Sequence, residues 1–137
     1  MHQPSFLHTA LAASLLCLSQ LALATEASVD IARIEAAISR LEVNYGDVTS
    51  DIDCKTATLT SHRLICDATG ELAQMLHLDR MAAVYAYENA HRREVNHEQP
   101  PIDEAFVATR NACNDTDCLR NALIAHTNDS LGGESPY

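Results

Sequence analysis

Four cysteines constrain this chain more than any other feature: Cys54, Cys66, Cys113 and Cys118. A fifth, Cys17, lies within residues 6–24, FLHTALAASLLCLSQLALA. That stretch carries no charged residue and closes on Ala22-Leu23-Ala24. An apolar run of this length with a small-x-small ending marks a secretory signal peptide, so residues 1–24 are expected to be removed before Thr25. The leading MHQPS is atypical in having no Lys or Arg. Cleavage removes Cys17 and leaves an even number of thiols in a chain bound for the periplasm or the exterior. Disulfides form and persist there. No membrane-spanning stretch is expected once the signal is gone.

Four thiols allow three pairings. Cys54 with Cys66 and Cys113 with Cys118 is the preferred arrangement, because each bond would staple a turn to its neighbouring helix. Crosswise pairs stay open. A structural zinc site is disfavoured, since its ligands usually come in pairs two to four residues apart, and Cys54 and Cys66 do not. No Cys-x-x-Cys is present to suggest thiol redox chemistry. No metal or cofactor is expected.

Helical periodicity fills the rest of the chain. Ile31, Ile34, Ile38, Leu41 and Tyr45 recur at spacings of 3, 4, 3 and 4 across residues 28–45, one apolar stripe on a helix. Ser28 is the expected N-cap and Gly46 the stop. The stripe also offers a homodimer seam through Ile31, Ile34, Ile38 and Leu41. Residues 47–58 have no period and read as an acidic loop. A short helical turn is expected over 58–66, broken at Asp67–Gly70. The longest periodic stretch runs over 70–97, with Leu72, Met75, Leu78, Met81, Ala82 and Tyr85 on one face. Pro100-Pro101 forbids its continuation. A further helix from Ile102 or Asp103 to Cys113 is expected to bury Ile102, Phe106 and Val107. The last, from Cys118 to about Ser130, turns Leu119, Leu123 and Ile124 inward. Gly132-Gly133 and the tail to residue 137 are expected to fray. The fold class is all-α: a small disulfide-stapled helical bundle with one long central helix and an extra N-terminal helix. The organisation is signal 1–24, amphipathic helix 25–46, four-cysteine helical domain 47–131 and disordered tail 132–137.

Charge narrows the partners. Nine Lys and Arg stand against nineteen Asp and Glu, a formal net charge of −10, and nucleic acid would be repelled. With two Phe, four Tyr and no Trp, there is no stacking platform. Enzyme motifs are missing too: no Gly-x-Ser-x-Gly, no phosphate-cradling loop, no paired-carboxylate signature. His62, His77, His91, His97 and His126 include no pair at the i, i+4 spacing of two ligands on one helix face. His91, Glu94 and His97 share only a wide arc of the expected long helix and read as a solvated face. No catalytic residue is assigned.

Several short runs together resemble a known family. They are Asp-Ile-Asp-Cys54-Lys-Thr-Ala, Leu64-Ile-Cys66-Asp, Glu71-Leu-Ala, Phe106-Val-Ala-Thr-Arg110-Asn-Ala-Cys113 and Cys118-Leu-Arg. In order and spacing, residues 52–131 resemble the lysozyme inhibitor LprI-like domain family of bacterial exported proteins. The chain departs from that pattern at Phe106, Leu123 and His126, where the family usually carries Trp, Tyr and Arg. The resemblance implies an envelope protein that binds and inhibits a basic partner such as lysozyme. Asp47, Asp51, Asp53, Asp67 and Glu71 are the candidate contact residues. The alternative is a structural or adaptor module that docks or dimerises through its N-terminal helix.

Overall fold

The computed structural model describes residues 29–67, 70–133 and 135–137. The expected signal peptide lies outside the described residues. Among the described residues five helices follow in order: α1 (Ile31–Tyr45), α2 (Thr60–Asp67), α3 (Glu71–His91), α4 (Glu104–Asn111) and α5 (Thr116–Ser130). No strand occurs among the described residues. The all-helical bundle with one long central helix is therefore the observed fold.

Aspartates start three of these helices. Asp30 Oδ1 accepts from the amides of Ala32 and Arg33, which makes Asp30 the N-cap of α1 in place of Ser28. Asp103 caps α4 through the Phe106 amide, and Asp115 caps α5 through the Cys118 amide. Each carboxylate satisfies an orphan N–H and favours the positive helix end. Gly46 ends α1 for reasons of space, since a Cβ there would lie 2.9 Å from the Glu42 carbonyl oxygen.

α3 is the hub. It packs on α1, α2 and α5, while α4 packs on α5 and α2. Its middle is buried nearly all round: Leu72, Met75, Leu76, Leu78, Met81, Ala82 and Val84, and also the charged Asp79 and Arg80. A single apolar stripe was too narrow an expectation for a helix with neighbours on several sides. Tyr85, expected inside, is 40% exposed, and Ile102 on the approach to α4 is 51% exposed. The main core joins Ile34 and Ala37 of α1 to Ile52, Ile65, Leu78, Leu119 and Leu123. A smaller one holds Val48, Met81 and Val84, with Ile38 and Leu41 packed against both.

That packing engages most of the α1 stripe within the chain itself. Ile34 is fully buried, and Ile38 and Leu41 face the chain's own interior. Only Ile31 of the four stays exposed. Tyr137 packs against the main core and donates its hydroxyl hydrogen to Thr127 Oγ1 at 2.9 Å. Arg33 Nη2 donates to the Ser135 carbonyl at 2.9 Å, so the same segment touches α1.

The disulfides join Cys54 to Cys66 and Cys113 to Cys118, each with Cα atoms 5.5 Å apart. The first ties the loop after α1 to α2, and the second ties the end of α4 to the start of α5. On the chain-entropy account they stabilise by about 3 and about 2 kcal/mol, the longer loop gaining more. A core with so few aromatics needs that help.

α3 ends earlier than its polar continuation suggests, because Arg92 turns left-handed at φ 51 and ψ 41. Among the described residues it is the only non-glycine with positive φ. An L side chain there costs roughly 1–2 kcal/mol, partly offset by the greater unfolded-state freedom of glycine. Replacing the exposed Arg92 by Gly is expected to stabilise the protein by about 0.5–1 kcal/mol in urea denaturation. An unchanged or lower midpoint would show that the left-handed turn carries no strain.

Candidate functional site

The early end of α3 builds a cleft. The chain after Arg92 doubles back against the turn that follows α1, and three contacts pin the two together. Thr49 donates its amide to the His97 carbonyl at 3.0 Å and its hydroxyl hydrogen to the Glu98 carbonyl at 3.0 Å. The His97 ring meets Asp47 at 2.6 Å through Nδ1 and Glu88 at 3.5 Å through Nε2. The amide of Val95 also donates to Glu88 Oε1, at 2.8 Å. Between these segments lies an open cleft of about 580 Å³, bordered by Tyr45, Asp47, Glu88, Glu94, His97 and Glu98 among others. No Lys or Arg lines it.

Its electrostatics follow from that wall. The hydrogen bond that His97 donates to Asp47 raises the His97 pKa above its ordinary value, with Glu88 adding to it and burial opposing. The same bond lowers the pKa of the exposed Asp47. Four carboxylates against one imidazole leave the cleft anionic, and it can receive a cationic side chain. Among the described residues, no group of three His, Cys, Asp or Glu is placed to hold a metal ion.

Of the candidate contact residues, only Asp47 lies in this cleft. Asp53 folds on itself, accepting from the Lys55 amide at 2.9 Å and the Thr56 hydroxyl at 3.1 Å. Asp67 is exposed at the end of α2, beside Arg63 and Leu64. Glu71 holds Arg120 at 2.6 Å, and Arg120 also binds Asp117. Asp51 is engaged inside the chain: its side chain is only 11% exposed and both oxygens are gripped by the buried Arg110 at 3.0 and 2.7 Å. Burial opposes its ionisation, but the Arg110 bonds and charge prevail and lower its pKa. Glu88, Glu94, Glu98 and His97 were not foreseen as partner contacts. A helix assumed to run to residue 97 points Glu94 and His97 into solvent; the turn at Arg92 brings them back.

Comparison with protein-family models, with curated proteins and with solved structures gives no match.

A second polar cluster lies deeper. Asp79, fully buried on α3, accepts from His126 Nδ1 at 2.7 Å and from the Thr127 hydroxyl at 3.0 Å. The His126 ring lies flat on Phe106, with centroids 3.8 Å apart and planes 2° from parallel. The other face of the fold's polar interior is close by, since Arg110 sits 5.8 Å from the Phe106 ring centre. An Asp–His pair is the base half of many catalytic sites. Here the outer nitrogen of His126 faces another carboxylate, Asp103, at 3.6 Å. That arrangement suits a held charge better than a proton shuttle.

Burial disfavours charge on His126, but the Asp79 hydrogen bond and the charges of Asp79 and Asp103 outweigh it and raise the pKa above 6.5. A histidine raised in this way contributes stability that is fully present below its unfolded pKa and lost as pH rises through its folded one. His126→Gln keeps a donor for Asp79 but cannot titrate. The wild type is expected to lose stability to urea between pH 6 and pH 9 more steeply than His126→Gln. Parallel profiles would remove His126 from the pH dependence.

Proposed function

We propose that the protein is an exported binding module that takes a basic protein partner on the acidic cleft. The partner implied by the family resemblance is a lysozyme-type muramidase. One observation carries the reading: Asp47, Glu88, Glu94 and Glu98 meet round one concave surface that no Lys or Arg lines. The net charge of −10 supports it, because a strongly acidic protein gains association rate with a basic one through long-range steering. Both disulfides support a periplasmic or secreted location. No described helix is long and apolar enough to cross a membrane. The alternative, an adaptor that docks or dimerises through its N-terminal helix, would have to use what α1 leaves exposed, such as Ile31 and Val43.

The cleft would anchor one or two cationic side chains, with the acidic surroundings guiding approach. Glu94 and Glu98 are the informative positions. Both are exposed, so removing their charges leaves the core alone. The purified protein is expected to inhibit lysozyme clearing of cell walls at micromolar concentration in low salt, and less at moderate salt. The double variant Glu94→Gln/Glu98→Gln should inhibit about tenfold more weakly, with a flatter salt dependence. No inhibition of any lysozyme type would overturn the muramidase assignment. Full inhibition by the double variant would overturn the cleft as its contact surface.

A further inference from the structure

A second hollow, of about 250 Å³, opens between α2, α3 and the segment after α1. Its wall is largely apolar, made by Val48, Ile52, Ile65, Leu76 and the Cys54–Cys66 disulfide. One guanidinium borders it, that of Arg80, a residue only 5% exposed. Ser50 and His77 are its other polar residues, and among the described residues no carboxylate lines it.

Arg80 is poorly compensated. Its Nε is buried and has no hydrogen-bond partner among the described residues. The carboxylate nearest to hand, Asp51, stays 3.9 Å away because Arg110 occupies both its oxygens. Asp79, next to it on α3, binds His126 and Thr127 through Oδ1, and its buried Oδ2 makes no hydrogen bond to Arg80 or to any other described residue. Two buried guanidiniums therefore share one carboxylate. A buried charge with half a partner is destabilising unless something else neutralises it.

The chemistry of the wall selects the kind of ligand it can hold. The ligand must be an anion small enough for a single guanidinium, which matches a carboxylate best through paired N–H donors. It must carry an apolar body, because most of the wall, from Val48, Ile52, Ile65, Leu76 and the disulfide, rewards apolar contact. At about 30 Å³ per water-sized unit, the hollow holds on the order of eight such units. We infer that this hollow binds a free aliphatic carboxylate of roughly six to eight carbons, with its head on Arg80 and its tail against Ile52, Ile65 and Leu76. The site is separate from the acidic cleft, and neither depends on the other.

Octanoate, octanol and octylamine are the probes, titrated into the purified protein by calorimetry and by thermal shift. Octanoate should bind at least tenfold more tightly than octanol, and octylamine should not bind. Arg80→Gln should remove the preference of octanoate over octanol. Ala73→Phe, at an exposed position on the rim of the same hollow, should weaken octanoate about tenfold by obstruction while leaving the ion cluster intact. If Arg80→Gln does not fold, the three probes on the unaltered chain still decide. Equal binding of octanoate and octanol would overturn the inference, as would no binding at millimolar concentration. Octanoate binding unaffected by Ala73→Phe would overturn it too.

Discussion

The pair between Arg110 and Asp51 is the contact on which the rest of the molecule depends. It is bidentate, and its guanidinium is almost wholly enclosed. It joins α4 to a segment with no regular structure of its own, 59 positions away in sequence. Neither ion would be tolerable there alone, and breaking such a pair from one side typically costs about 3–5 kcal/mol. The pair also sets the state of its neighbours. By filling both oxygens of Asp51 it leaves Arg80 short of a partner, and through Phe106 it sits one ring away from His126.

The helices were legible because their signals are local. Leu72, Met75 and Leu78 repeat at helical spacing, Pro100-Pro101 stops what precedes it, and an aspartate stands at the start of α4 and of α5. The cysteine pairs were legible for the same reason: each closes a short loop onto the next helix. Boundaries failed where they depend on the backbone rather than on residue type. Arg92 gives no outward sign of a left-handed turn, so α3 was expected to run on. Tyr137 looked like part of a polar tail, and only the buried Thr127 explains why it turns inward.

The buried charges are the other gap. Asp79 and Arg80 stand in the middle of Leu76-His-Leu-Asp-Arg-Met-Ala-Ala-Val84, a run otherwise almost wholly apolar. That placement was a usable hint, because a charged pair inside such a run has no solvent face to occupy. Their partners could not be read in the same way. Asp51 looked like one more carboxylate in an acidic loop, and His126 like one polar position on a short helix. Pairings 59 and 47 positions apart exist only once the chain is folded. The acidic cleft shares that character, drawing on the turn after α1, the end of α3 and the stretch beyond it.

The segment between α1 and α2 ties three separate elements together. It has no helix or strand, yet Thr49 is bound to the chain after α3, Asp51 to α4, and Cys54 to α2. Val48 and Ile52 are buried along the way. Such a segment behaves less like a surface loop than like a lacing drawn through separate eyelets. It cannot lift off at one point without slackening its hold on three elements at once. Local opening, the usual weakness of irregular segments, is thereby coupled to loss of the whole fold.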